Sequence, residues 1–563
     1  MSLDDVNLPR VHDSSQAPDL IQSEKSRYIV SNSDVTLTHA QREIYSTVTQ
    51  NLHSHSNQFL LRACAGSGKT VVSRKIVNDL RHQGHLVMVC APTAKAAGQY
   101  SGAFTCHKLF GIPTRPGGAL YLNDETHPLT QLVLHASLIV VDELSMLLQS
   151  NLDIMDLYLR DVCRIDKPFG GRCILFISDF AQLPPVVKGR NDELSTFSNS
   201  CISSPLLSNV THMTLTEVLR SVSPSFTQWL TRLACGFNVN GFSDIELPKE
   251  IRRFLTSEHA LKEYLDASLP YRFPSDVLQL AKSILYTSCI VAFTNSRVDF
   301  YNDTIAQHII RKYKLQTHSC VAQHEAKHTP GNLVNLDMMS KYKDSTSSLP
   351  APTLTLFRGA LVMLTRNFMP SRGLVNGSIF VVETVLRNTL HVINVSGSRE
   401  TNPFYGSKDV LFRFTFPVDD NGIKFTRKQY PLKFTYAGTT HRLQGDTVLG
   451  RLLIDVIYPA FLHGQSYVTF SRARCWTQIY AVCRDDRFTS LTFSRMLDHP
   501  QTFHQNLRPK SLNPSVVCEL EQLSSDSDRD DPFGGTGADW VVDGGARFVD
   551  GEESVRNTKR ATE

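Results

Sequence analysis

Residues 59–70 read FLLRACAGSGKT, and a helical run, VVSRKIVNDL, follows directly. A β-rich stretch that ends in a glycine loop and then opens a helix is the arrangement a phosphate cradle needs. Gly66 and Gly68 let backbone N–H groups turn inward, Lys69 meets the β- and γ-phosphates of ATP, the Thr70 hydroxyl ligates Mg2+, and the helix N-terminus adds its dipole. The cradle is therefore read as Ala65, Gly66, Ser67, Gly68, Lys69 and Thr70. Ala63 stands where the pattern opens with glycine, which is tolerable at negative φ because a methyl then clashes with nothing. Farther on, LIVVDELSM (138–146) supplies what the cradle lacks. Its four apolar residues form a buried strand that delivers Asp142 and Glu143 to the carboxyl end. There Asp142 is placed to hold Mg2+, directly or through water, and Glu143 to orient and activate an attacking water. The pair points to hydrolysis more than to transfer onto a small acceptor.

Outward from this core, short β-rich runs (FLLRA, HLVMVCA, LIVVDE, CILFIS) alternate with helical stretches from Thr36 to about residue 205. That alternation marks an α/β domain around a parallel sheet. A Gly/Pro-rich stretch near 110–130 interrupts it as a hairpin or loop insertion. A second α/β unit is expected over 206–351 and 431–505, with strands at SCIVAF (288–293) and RLLIDV (451–456). Between its halves, residues 352–430 hold β-branched and aromatic runs separated by turn signals such as Asn376-Gly377, the pattern of a small inserted barrel or sheet. The polar arm at 1–35 and the tail at 506–563 lack periodicity and are expected to be disordered.

At 563 residues the chain exceeds one ordinary core, and 41% hydrophobic with 20% charged residues is a globular composition. The longest clean apolar runs, such as CILFI (173–177), are a quarter of the ~20 residues a membrane span needs. The N-terminus has neither the basic nor the apolar region of a secretory signal. A soluble, intracellular protein is expected, with nucleus and cytoplasm both open and no membrane partner. Twelve cysteines without one C-x-x-C pair argue against a zinc ribbon or a disulfide framework. Residues 519–563 carry twelve acidic and five basic side chains, so a net of −7 in the tail leaves +11 for residues 1–518 within the overall +4. A basic body suits a polyanion. Apolar islands in the acidic tail (Trp540-Val541-Val542, Phe548-Val549) are candidates for docking a protein partner.

Further stretches carry a family resemblance over about residues 36–485. These are LTHAQ (37–41), APTAKAAGQYSGAFTCH (91–107), DELSML (142–147), PFGGRCILFISDFAQLPPV (168–186) and LTEVLRS (215–221). VAFTNSRVDFYN (291–302), GALVMLTRNFMPSRGLVNGSIFVV (359–382), AGTTHRLQGDT (437–447) and GQSYVTFSRAR (464–474) follow in order. With them the chain resembles superfamily 1 DNA helicases, in the 5′-to-3′ branch of PIF-type and RecD-like enzymes. The resemblance implies two RecA-like P-loop NTPase lobes with parallel sheets, and a small SH3-like β-barrel inserted in the second. It also implies ATP-driven 5′-to-3′ movement on single-stranded DNA with unwinding of tailed or forked duplexes. By the same resemblance Gln41 reads adenine, Gln182 senses the γ-phosphate, and Arg220 and Arg472 are arginine fingers supplied from the second lobe. Thr93, His107, Thr439 and His441 lie on the single-strand path, and 110–130 is the strand-separating wedge; Phe104 and Tyr436, beside those motifs, are read as core residues or as platforms for stacking bases. The chain departs from the family at Ser178, where glycine is usual, and at Ser221, Arg442 and Leu443.

A guanidinium on the developing charge is worth ~10³–10⁵ in rate, or about 4–7 kcal/mol, so fingers from another lobe make hydrolysis depend on closure. Two other readings fit the same residues. One is a single-strand translocase or RNA-directed ATPase that does not unwind. The other is a nucleotide-gated clamp with little turnover. Replication, recombination, repair and telomere maintenance are all open as host processes.

Overall fold

The computed structural model describes residue 19, residues 21–23 and most of 35–498. The stretches left out within that range are 55–56, 114–126, 188–191, 237–240, 255, 327–338, 340–341, 343–348, 370–371, 398–401, 403 and 421–422. The acidic tail, nearly all of the 1–35 arm and the centre of the 110–130 insertion lie outside the described residues. Of the arm, Asp19 and residues 21–23 are helical, and Ile21 packs against the first lobe's core.

The first lobe is built on six parallel strands: β1 (Gln58–Ala63), β2 (Val87–Ala91), β3 (Phe104–Thr105), β4 (Leu138–Val141), β5 (Ile174–Ser178) and β6 (Thr211–Leu215). Their order is β3-β2-β4-β5-β1-β6, with β5 between the P-loop strand and the strand that ends at Asp142. Alternation along each strand feeds two cores. Leu60, Ile139, Val141 and Phe176 join one face, while Phe59, Leu61, Leu138, Val140, Leu175 and Ile177 join the other. Both faces are covered, as parallel sheets require. Helix α1 (His39–Gln50) begins with a capping box, in which Gln41 N–H donates to Thr38 Oγ1 and Thr38 N–H to Gln41 Oε1. Helix α2 (Lys69–His82) rises from the P-loop.

The second lobe contributes β7 (Gly241–Glu246), β8 (Arg252–Phe254) and β9 (Ser288–Ala292) before the insertion. Inserted strands follow as β10 (Thr317–Val321), β11 (Gln323–Ala326), β12 (Thr353–Phe357), β13 (Leu361–Leu364), β14 (Ile379–Val385) and β15 (Leu390–Asn394). The insertion continues through β16 (Lys408–Leu411), β17 (Phe414–Asp420), β18 (Ile423–Gln429) and β19 (Leu432–Phe434). The lobe resumes with β20 (Ala437–Thr439), β21 (Arg451–Asp455), β22 (Ile479–Val482) and β23 (Arg487–Thr492). Its main sheet is parallel, in the order β20-β9-β21-β22-β8. The chain therefore has the two-lobed, RecA-like architecture that the resemblance implies.

The inserted unit is a five-stranded antiparallel sheet, β16-β15-β14-β13-β19, with a β11-β18-β17 arm and a β10-β12 pair beside it. Its strands begin ahead of residue 352 and run past 430, because β10 and β11 pair with β12 and β18, and β19 pairs with β13. Asn376-Gly377 makes the turn into β14, with Gly377 at φ +89°. In the arm, the Arg427 guanidinium is buried and donates to His324 Nε2 and to the carbonyls of Pro350, Met339 and Tyr342. Carbonyl oxygens thus replace the carboxylate that a buried arginine usually needs.

Two features correct the boundary expected at residue 205. Strand β6 pairs in parallel with β1, so residues 211–215 belong to the first sheet. After β23 pairs with β7, Phe493 and Met496 enter the first lobe's core, and Glu193 accepts from Ser494 Oγ and the Arg495 N–H. The second lobe is thereby strapped back onto the first.

A candidate nucleotide-hydrolysis cleft between two lobes

The P-loop follows β1, with Gly66 and Gly68 both at φ +83°. A Cβ at Gly66 would lie 2.7 Å from Arg220 Cβ, and one at Gly68 would lie 2.4 Å from Gln41 Nε2. Glycine is needed here for both conformation and close approach. Gln41 is buried; besides its role in the capping box, its Nε2 donates to Ser67 O at 3.3 Å. One amide N–H and one oxygen lone pair remain for a base edge.

Asp142 and Glu143 stand at the end of β4, and both are buried. Tyr100 Oη donates to Asp142 Oδ2 at 2.8 Å, and Ser73 Oγ lies 2.6 Å from the same phenol. The Glu143 N–H donates to Asp142 Oδ1, and Glu143 itself sits at φ +53°, an uncommon conformation for a side-chain-bearing residue. Burial, and then the neighbouring Glu143 charge, push Asp142 up to about 6, against the opposing pull of Lys69. Glu143 Oε2 and Gln182 Oε1 are buried without a protein partner, as are the hydroxyls of Ser145 and Ser178. Ser178 thus adds a buried hydroxyl at the end of β5.

Two adjacent buried carboxylates make this an anionic pocket. The donors offered by Asp142 and Thr70 are hard oxygens, which fit Mg2+ bound by one or two protein oxygens plus water and phosphate. Among the described residues no cluster of three or more His, Cys, Asp or Glu side chains forms a metal cage of its own.

Asp179 organises the next segment. Its Oδ2 accepts from Gln182 Nε2 at 2.9 Å and from Tyr467 Oη at 3.2 Å. Tyr467 Oη also accepts the Ala65 N–H of the P-loop at 2.9 Å. Arg472, at the end of the same second-lobe segment, is buried and donates to Val468 O, Asp446 O and Ser471 Oγ. Burial lowers its pKa while Glu143 acts in the opposite sense, so the second lobe brings this guanidinium into the field of the hydrolysis carboxylates.

Arg220 is placed otherwise than expected. The N–H groups of Leu219 and Arg220 both donate to Gly66 O, at 2.9 and 3.0 Å, so Arg220 belongs with the P-loop lobe. It reaches across to Ser471 O at 3.0 Å. Burial first, then Arg472 beside it, lowers its pKa to about 10. Of the two arginines, only Arg472 comes from the second lobe.

Thr93 and His107 follow the adjacent strands β2 and β3, and Thr93 caps the short helix Ala94–Ala97. Thr439 ends β20, the edge of the second sheet, and His441 follows with its Nε2 buried and unpartnered. Lys95 joins the two regions by an ion pair with Asp446 at 2.6 Å and a hydrogen bond to Arg442 O. Phe104 is half-buried, whereas Tyr436 is a core residue whose hydroxyl accepts the Leu361 N–H, so it is no base platform. Tyr100, Asp179 and Tyr467 went unassigned in the sequence. Tyr100 and Tyr467 stood inside quoted motifs, but an aromatic at a helical position reads first as core.

Fold and cleft together define the class: a two-lobed P-loop protein with a candidate nucleotide site at the lobe interface. Residues 36–237 match the family model for PIF1-like helicase, and residues 345–385 match that for the DNA helicase Pif1 2B domain. The human ATP-dependent DNA helicase PIF1 is 26% identical over 428 residues, covering 73% of this chain and 56% of the human protein. Uncharacterized protein 030L of Invertebrate iridescent virus 6 is 24% identical over 560 residues, 86% of this chain and 97% of the viral protein. Bacteroides Pif1 bound to ssDNA superposes with a TM-score of 0.54 at 21% identity, covering 88% of this chain and 98% of that one. Over residues 36–237 the chain is similar to the PIF1-like helicases, and it spans little more than half the length of the human relative.

Proposed function

We propose that this chain is an ATP-dependent DNA helicase that moves 5′ to 3′ on single-stranded DNA and unwinds tailed or forked duplexes. One observation carries the reading: the cleft that holds Glu143 is closed by Tyr467 and Arg472 of the other lobe. Hydrolysis in such a cleft is tied to relative movement of the lobes. The names of the relatives and the DNA-bound Bacteroides Pif1 support DNA as the track.

In this reading Lys69 and the N–H groups of Gly66, Gly68, Lys69 and Thr70 hold the ATP phosphates, while the Ala65 N–H stays on Tyr467 Oη and Gln41 offers its remaining donor and acceptor to adenine. Thr70 and Asp142 would hold Mg2+, which when bound neutralises charge on the β- and γ-phosphates. Glu143 takes a proton from the attacking water through its unpartnered Oε2. Gln182 contacts the γ-phosphate, and Arg472, with Arg220 beside it, stabilises the charge that develops there. Thr93, His107, Thr439 and His441 hold DNA backbone without reading sequence, as translocation requires.

Phosphate release with and without single-stranded DNA tests this reading. DNA is expected to raise turnover. Glu143→Gln should keep ATP binding and lower turnover by about 10²–10⁴-fold, the usual contribution of a general base. Turnover that ignores DNA, or survives Lys69→Ala, contradicts it.

A further inference from the structure

Tyr467 comes from the short helix Gln465–Phe470 of the second lobe, yet its hydroxyl is spent entirely on the first. A phenol has one O–H and two lone pairs. Here it accepts from the Ala65 N–H at 2.9 Å and donates to Asp179 Oδ2 at 3.2 Å. That same carboxylate oxygen accepts the Gln182 amide at 2.9 Å, while Oδ1 accepts the Ala181 N–H. The Gln182 amide is thereby turned so that its other end, Oε1, is buried with no protein partner.

The approach of this segment is tight along its length. The N–H-bearing Nε2 of His463 donates to Phe180 O at 3.2 Å, because its Nδ1 already accepts the Phe493 N–H. Gly464, at φ +68°, passes so close that an added Cβ would be 2.2 Å from Ala181 O. Residues 463–467 of one lobe are thus seated on residues 179–182 of the other, and Arg472 follows on the same segment.

We infer that Tyr467 is a positioning residue for hydrolysis: its hydroxyl ties the P-loop and the Asp179–Gln182 pair to the second lobe, so that Gln182 is held for the γ-phosphate only when the lobes are seated. This deepens the proposed function and rests on its assignment of Gln182. The ring is buried among Phe226, Phe470 and Ala181 of one core, so Tyr467→Phe keeps the packing and removes only the two hydrogen bonds.

The test is steady-state ATP turnover of the full chain, without DNA and with single-stranded DNA. Four proteins are compared: wild type, Tyr467→Phe, Asp179→Asn and the double variant. Loss of a transition-state positioning contact should lower kcat of Tyr467→Phe by roughly 10–100-fold and change KM for ATP by less than about threefold. The double variant should be no slower than the worse single, since both break one linkage. Unchanged kcat, or losses that multiply in the double variant, overturn the inference. A fall in kcat that disappears when turnover is measured well below the variant's melting midpoint and corrected for its folded fraction also overturns it, as a merely structural role would give. The DNA-free rates decide this question, whereas the helicase reading stands or falls on whether wild-type turnover responds to DNA.

Discussion

Asp142 shows what assembling this site costs. Its carboxylate is buried beside Glu143, and the balance of burial and repulsion raises its pKa from 3.8 to about 6. A raised folded-state pKa means that the folded protein prefers the neutral acid. The penalty is absent below about pH 4, grows as pH rises through 6 and is complete above it. In magnesium-free buffer, Asp142→Asn should therefore stabilise the protein at pH 7.5 by about 2–3 kcal/mol, with the gain vanishing near pH 4, while turnover is lost. Thermal melts at the two pH values check this, and equal shifts at both would contradict it. The residues of the cradle were legible in the sequence because phosphate binding uses contiguous backbone, and contiguity survives in one dimension. Tyr100 and Tyr467 were not, since their roles come from hydroxyl contacts with residues far along the chain.

Among elements, strands with long apolar runs were legible, whereas short or half-exposed ones, β3, β6, β7 and β8 among them, were not. THMTL (211–215) has only two buried positions, as an edge strand does, so nothing in it signalled a sixth strand. Missing it moved Arg220 into the wrong lobe. With the Arg220 backbone N–H held on Gly66 O, its side chain starts beside the P-loop, so Arg220→Ala should perturb nucleotide binding as well as turnover, whereas Arg472→Ala should lower turnover far more than affinity. Nucleotide titration of both variants checks the contrast; matching affinities would contradict it. The turn into the helix Gln465–Phe470 offers a second check. Gly464→Ala meets positive φ and the Ala181 carbonyl together. It should destabilise the fold by at least about 1–3 kcal/mol, the range for strained backbone, and depress turnover with it. A fully stable, active Gly464→Ala would mean that the lobes are not seated this way.

Across the whole molecule, the described residues join the lobes through the Tyr467 hydroxyl, the Arg220–Ser471 and His463–Phe180 bonds, the Lys95–Asp446 pair, and the strap that sends Phe493 and Met496 into the first core. The Lys95 and Asp446 side chains are 45% and 42% exposed, so their attraction is worth at most about 1 kcal/mol in water. Its importance is position: Asp446 bonds Lys95 through its carboxylate and Arg472 through its carbonyl, joining the expected DNA path to the hydrolysis cleft. Reversing either charge should lower DNA-stimulated turnover by about fivefold, equivalent to ~1 kcal/mol, and reversing both should restore it. Failure of the double reversal to recover would remove this pair from the coupling. None of these contacts was legible in sequence, because each joins segments hundreds of residues apart.

The central claim is that closure of this cleft drives the chain along DNA in one direction. The most direct measurement is ATP-dependent strand separation on two otherwise identical duplexes, one with a 5′ single-stranded tail and one with a 3′ tail, using Glu143→Gln as control. Opening of the 5′-tailed duplex alone, lost in the control, is the expected result. Opening of the 3′-tailed duplex, or of neither while DNA still stimulates turnover, would contradict it.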